Sequence, residues 1–169
     1  MKDKYKRIAI VGNAGSGKST LARRLEAKTG LPLVYLDTEF WRPGWEQTPR
    51  DEWLAKNELL ALCEKWIIDG NYTSTMEMRF AAADLVIFLD LNRFLCLYRV
   101  LKRKNKDRPD FPQYLEEKFD PVFYKWIWNF PKNNRGAILQ LHEKYPDVKF
   151  IVIKNKRELQ RALEEFDEQ

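Results

Sequence analysis

Apolar residues fall into five short runs separated by polar stretches rich in glycine and proline. Ile8–Val11, Leu33–Leu36, Trp66–Ile68, Leu85–Leu89 and Val148–Ile153 are continuous or nearly so in apolar character. That is the pattern of strands buried on both faces of a parallel sheet. Between the runs, helix signals recur. A helix is predicted from Lys18, stopped by Thr29-Gly30 with Pro32 beyond it. Thr48, followed by Pro49 and Asp51, predicts a second helix running to about Glu64. Ser74 with Glu77 reads as a capping box for a short helix through Arg79 to Ala83. Asn92 and Asn155 (the latter with Glu158) cap two more. From Phe111 to Tyr145 the chain reads as aromatic and helical, with Pro121 at a helix start and Pro131 expected to break or kink the run. Five strands alternating with helices predict an α/β fold: a five-stranded parallel sheet with helices on both faces.

Length and composition narrow the class. A chain of 169 residues, 44% of them apolar, fits one globular domain over 1–169 with a sizeable core. No apolar stretch approaches the ~20 residues that span a bilayer, and the N-terminus lacks the apolar core of a signal peptide. A cytoplasmic protein is therefore expected. Cys63 and Cys96 sit singly without metal-ligand spacing and read as reduced thiols, in the core or half-buried. His142, the one histidine, is placed on a solvated helix face and given no role. A net charge of +5 suits a polyanionic ligand, and ATP suffices to explain it.

The first apolar run leads directly into chemistry. Gly12-Asn13-Ala14-Gly15-Ser16-Gly17-Lys18-Ser19 fits G-x-x-x-x-G-K-[ST], the phosphate-binding P-loop, with Thr20 following. The glycines allow successive backbone N–H groups to turn inward and phosphate oxygens to come close. The helix from Lys18 points the positive end of its dipole at the anion. Lys18 can reach the β- and γ-phosphates, and the Ser19 hydroxyl can ligate Mg²⁺. A glycine-rich turn could match by chance, but the strand before the motif and the helix after it supply the context a P-loop requires. The chain is thus read as a P-loop NTPase fold that binds ATP and Mg²⁺.

Three further strands end at acids: Asp37, Asp69 and Asp90. Parallel strands bring these ends to one edge, where ligands bind in such folds, although aspartate is also a common turn residue. Between Arg93 and Arg108 there are seven basic residues and one acid. Phosphate-clamping arginines and a solvated helix end are the competing readings. Trp41, Trp45 and Trp53 could line an acceptor pocket or pack a small lobe, while Trp126, Trp128 and Phe130 read as core.

Five segments carry a narrower resemblance: IAIVGNAGSGKSTLARRL, LDTEFWRPGW, WIIDGNY, ADLVIFLDLNRFLCLYRVLKR and FYKWIWNFP. Together they span nearly the whole chain, which resembles the bacterial DNA topology modulation protein family, a branch of the adenylate-kinase-like and shikimate-kinase-like P-loop proteins. The resemblance implies a small-molecule kinase with a small acceptor-binding insertion over 38–64 and a short lid over 104–113. It implies that Asp69 holds Mg²⁺ through water, and that Arg79 meets a phosphate on the acceptor. Arg99 and Arg103 would be a pair spaced by four, one packing on the nucleotide base and the other touching phosphate. Asp37 would stand near the acceptor hydroxyl, and Arg108 is the clear finger of the lid. The lid is short, and the 38–64 segment matches no nucleoside-monophosphate-binding sequence, so the acceptor (a nucleoside, nucleotide or other hydroxyl compound) stays open.

The alternative is a nucleic-acid-associated ATPase or regulator of DNA topology. Only the basic run favours it, and no helix-turn-helix or zinc module is present. A GTPase lacks its Asn-Lys-x-Asp signature: Asn105-Lys106-Asp107 has no spacer, and Asn155-Lys156-Arg157-Glu158 ends on the wrong acid. A monomer or homodimer acting on a small molecule is expected.

Overall fold

A computed structural model of the chain describes residues 4–103, 110–115 and 120–166. The chain opens with β1 (Arg7–Gly12), α1 (Lys18–Thr29), β2 (Leu33–Tyr35) and α2 (Leu36–Phe40). A small hairpin of β3 (Trp41–Arg42) and β4 (Glu46–Gln47) leads to α3 (Arg50–Leu62). Then follow β5 (Trp66–Asp69), α4 (Thr73–Ala82), β6 (Leu85–Leu89) and α5 (Arg93–Arg103). The chain closes with α6 (Pro121–Asn133), α7 (Arg135–Lys144), β7 (Lys149–Ile153) and α8 (Lys156–Glu164). Strands β2, β5, β1, β6 and β7 lie side by side in that order, every pair parallel. The predicted five-stranded sheet is present.

Central β1 shows why the apolar runs are continuous. Ile8 and Ile10 face one side, packing with Leu21 and Leu25 of α1 and Leu163 of α8. Ala9 and Val11 face the other, packing with Met76 and Phe80 of α4 and Ile138 of α7. A strand covered on both faces has no position left for a polar residue. The glycine stop after α1 also holds: Gly30 takes a left-handed backbone, and its N–H bonds Glu26 O at 2.7 Å. Among the described residues, no helix is long and apolar enough to cross a membrane.

Several local expectations fail for identifiable reasons. β2 ends at Tyr35, so Asp37 lies in α2 rather than at a strand end. The Thr38 hydroxyl closes that turn on the Tyr35 carbonyl (2.7 Å), and Leu36 turns into the core. Thr48 does not cap α3; its hydroxyl donates to the Phe40 carbonyl at 2.6 Å and pins the hairpin. The Ser74–Glu77 capping box does not form, because α4 begins at Thr73 and Glu77 binds Lys144 and Tyr145 instead. His142 is half-buried, its ring stacked on Phe150 at 4.1 Å. Cys63 is exposed and Cys96 buried. Trp128 is exposed on α6 with the Arg93 guanidinium over its ring, while Trp126 is half-buried and Phe130 is core. The other two caps hold, and Pro121 opens its helix as expected. Asn92 accepts from Phe94 N (2.8 Å), Asn155 from Glu158 N (3.0 Å), and Asp120 supplies the cap ahead of Pro121.

Pro131 does not end its helix. α6 runs on to Asn133, and the break falls at Asn134. Proline lacks the N–H that would bond the carbonyl four residues back, which is Ile127 O. That carbonyl instead accepts from Asn13 Nδ2 of the P-loop at 2.9 Å. The break in the helical ladder becomes an anchor for the phosphate loop.

Candidate active site

The carboxyl ends of β1, β2 and β5 open into one cavity of about 880 Å³. β5 lies between β1 and β2, and the register pairs Ile10 with Asp69, so the acid stands beside the start of the P-loop. Ala14, Gly15, Gly17, Lys18, Ser19 and Thr20 line the cavity. Gly12, Asn13 and Ser16 do not; Asn13 and Ser16 are buried behind it. The first N–H groups of α1, which have no intrahelical acceptor, begin at this wall. Gly15 is required by packing as well as by phosphate access. It has φ +77, and a Cβ there would stand 2.3 Å from the Cys96 carbonyl oxygen of α5.

Lys18 Nζ donates to the Asn13 carbonyl across the loop at 3.1 Å. The Ser19 hydroxyl lies 2.6 Å from Asp69 Oδ2 and 2.9 Å from Asp110 Oδ2. One hydroxyl carries one proton and cannot donate to both carboxylates. Asp69 is 6% exposed, and its Oδ1 is buried with no hydrogen-bond partner. Burial pushes its pKa up to about 6, against the pull of the Lys18 ammonium and the Ser19 hydrogen bond. Two acid oxygens around one hydroxyl, with a further oxygen unsatisfied, form a donor set that a hard cation such as Mg²⁺ fits.

Asp37 shares the cavity from the α2 side, and its Oδ1 accepts a 2.6 Å hydrogen bond from the Tyr72 hydroxyl. Burial, together with the Asp37 charge, raises the Tyr72 pKa far above its ordinary value and keeps the phenol a donor. Tyr72 has a left-handed backbone (φ 42), and Trp45 is the other non-glycine residue with positive φ among those described (φ 63). Both line the cavity. Such residues cost about 1–3 kcal/mol each and cluster at functional sites.

Arg79 is not where the resemblance put it. Its side chain is wholly buried behind the cavity wall, donating to Asn57 Oδ1 (3.0 Å), Thr75 Oγ1 (2.9 Å) and the Asn71 carbonyl. Asn71 in turn clamps Gly12, accepting its N–H at 3.0 Å and donating to its carbonyl at 2.7 Å. Arg79 thus shapes the loop after β5 and, through Asn71, braces the P-loop. An arginine at 0% exposure, with both terminal nitrogens spent on neutral acceptors inside the protein, has no guanidinium face to offer a ligand.

Of the three aspartates expected at strand ends, Asp37 and Asp69 line the cavity, whereas Asp90 pairs with Arg135 at 2.9 Å. Arg103 lines the cavity, while Arg99 braces the loop from α5 by donating to the Ser16 carbonyl at 3.3 Å. Arg108 and the lid segment 104–109 lie outside the described residues. Trp41 and Trp45 line the cavity; Trp53 is core, packed on Phe40 and Tyr72. Sequence reasoning missed Tyr72, Asn71 and Asp110. Tyr72 and Asn71 followed a recognised acid but offered no spacing signal of their own, and Asp110 meets Ser19 from 91 residues away.

The same architecture occurs in solved kinases. The fold is that of a P-loop kinase. A shikimate kinase from Acinetobacter baumannii, in complex with shikimate, matches with a TM-score of 0.64 at 15% identity, over 96% of this chain and 91% of that one. A gluconokinase from Sinorhizobium meliloti 1021 matches at 0.56 and 18%, over 96% and 94%. A shikimate kinase from Bacteroides thetaiotaomicron matches at 0.54 and 19%, over 97% of each chain. No protein-family model and no curated protein matches this chain, so the expected kinship with the DNA topology modulation family gains no support from sequence comparison.

Proposed function

We propose that the protein is a small-molecule kinase that transfers the γ-phosphoryl group of ATP to a hydroxyl of an acceptor. The observation that carries this reading is the convergence of Lys18, Ser19, Asp69 and Asp37 on one cavity at the P-loop. ATP phosphates would lie on the loop from Ala14 to Thr20, with Lys18 against the β- and γ-phosphates and Arg103 closing from α5. Arg108 would reach in from the lid over 104–113, and the segment 38–64 would hold the acceptor. Ser19 and Asp69 would hold Mg²⁺, which supplies charge neutralisation at the β- and γ-oxygens.

Asp37 orients the acceptor hydroxyl and takes its proton as the acceptor oxygen bonds to Pγ. The bond from Pγ to the bridging oxygen breaks, and ADP leaves with that electron pair. Positioning and charge complementarity dominate such transfers, which is why a preset Asp37 matters. Arg99 acts through the loop, as a brace. The described arginines of the basic run favour this reading over nucleic acid, because they serve different surroundings: Arg93 covers Trp128, Arg99 meets Ser16 and Arg103 faces the cavity.

The test is Mg²⁺-dependent ATP binding and acceptor-stimulated ADP formation in the wild type and Lys18→Ala. The variant is expected to lose turnover and bind ATP more weakly while its melting curve stays in place. Near wild-type turnover in Lys18→Ala would refute the assignment.

A further inference from the structure

We infer that the acceptor is an uncharged ring compound, held by stacking on Trp41, Trp45 and Phe111 with its reactive hydroxyl at Asp37. This inference rests on the kinase reading and narrows its substrate class.

The first observation is the aromatic wall. Trp45 meets Trp41 edge to face at 5.3 Å and Phe111 at 5.6 Å, and all three line the cavity. The hairpin carrying both tryptophans is only two residues per strand, and Tyr114 ties it down by donating to the Trp41 carbonyl.

The second is the conformation of Trp45. A bulky residue with φ 63 is a backbone outlier, and at 38% exposed it is not there to fill the core. Neither backbone preference nor burial accounts for an indole at this position. Presentation of a flat apolar face to a ligand does, since aromatic stacking holds rings without needing charge.

The third is charge. A phosphate or carboxylate on the acceptor calls for an arginine fork or a comparable cation. Arg79, which the resemblance placed there, is sealed inside the protein by neutral acceptors. On the hairpin side, Arg42 pairs with Glu52, and Lys56 pairs with Glu39 at 2.6 Å. Lys18 and Arg103 stand at the nucleotide end, which leaves Arg23 on the exposed flank of α1 as the further cation among the described lining residues. Asp37 faces the acceptor side of this space and repels an anion. A neutral ring meets none of these penalties, and its hydroxyls can bond Asp37 and Gln47.

Nucleosides and neutral sugars or cyclitols share this chemistry, so matched pairs separate both charge and source. Adenosine would be compared with AMP, and glucose and inositol with glucuronate, reading acceptor-stimulated ADP formation by the intact protein. At least one neutral member is expected to give a kcat/KM about tenfold or more above its anionic partner. Preference for the anionic members, or stimulation by none of the panel, overturns the inference. In Trp45→Asn, a residue that tolerates the left-handed region, KM for the preferred acceptor is expected to rise about tenfold with kcat within about threefold. An unchanged KM would also overturn it. ATP·Mg²⁺ binding measured alongside keeps the two failures apart: if it does not depend on Lys18 the kinase reading falls, and if it does, only the acceptor class falls.

Discussion

Tyr72 donates a hydrogen bond from its hydroxyl to Asp37 at 2.6 Å from a left-handed backbone position, joining the loop after β5 to the helix after β2. The two residues are 35 apart in sequence. If Tyr72 positions Asp37 for the acceptor hydroxyl, Tyr72→Phe lowers kcat by about tenfold or more and leaves ATP affinity unchanged. The Tyr72→Phe, Asp37→Asn double variant should then be no worse than Asp37→Asn alone, since the two act as one unit. Steady-state kinetics on the four proteins decides; additive losses would show independent roles.

Asp37 and Asp69 should separate by metal. Asp69 shares Ser19 with Asp110 at the donor set that fits Mg²⁺, so Asp69→Asn raises the Mg²⁺ concentration needed for half-maximal activity. Asp37 bonds Tyr72 and serves the acceptor, a role worth ~10²–10⁴-fold for a general base. Its replacement by Asn lowers turnover without moving the Mg²⁺ requirement. The same shift in both Mg²⁺ titrations would contradict this division.

Arg79 should behave as an internal strut. Arg79→Ala leaves Asn57, Thr75 and the Asn71 carbonyl without their donor and opens a cavity, a loss of roughly 2–5 kcal/mol. Urea unfolding measures it. A variant of unchanged stability with a raised acceptor KM would restore Arg79 to the binding site.

Asp69 also makes stability depend on pH. Its folded pKa of about 6 lies above the ordinary 3.8, so between those values the folded state holds a proton that the unfolded chain has lost. Stability from this group is fully present below about pH 4 and declines as pH rises through 6, by ~3 kcal/mol. Asn mimics the protonated acid. In metal-free buffer, Asp69→Asn should therefore gain stability over the wild type as pH rises from 4 to 8. A constant difference across that range would contradict the burial-raised pKa.

The sheet and P-loop were legible because both are local: continuous apolar runs give buried strands, and glycine-lysine spacing gives the loop. Asp69 was legible for the same reason, as the acid closing an apolar run. What the sequence concealed depends on distant partners. Arg79 sits at the position the resemblance assigns to an acceptor-binding arginine, and only the packing of α4 on Asn57 of α3 shows that it turns inward. Leu36 turns β2 into α2 because it packs under Gly70, where a Cβ would meet it at 2.8 Å; nothing in Leu33–Leu36 signals that contact. Pro131 reads as a break or kink because its loss of a hydrogen bond is local, whereas its compensation by Asn13 comes from the other end of the chain.

Phosphorus-31 spectroscopy of ATP, Mg²⁺ and a mixture of neutral nucleosides and sugars tests the central claim most directly. With wild-type protein, ADP and a new phosphomonoester resonance should appear in equal amounts, and with Lys18→Ala neither should appear. ADP accompanied only by inorganic phosphate, or equal product from the Lys18→Ala variant, would contradict phosphoryl transfer at this loop.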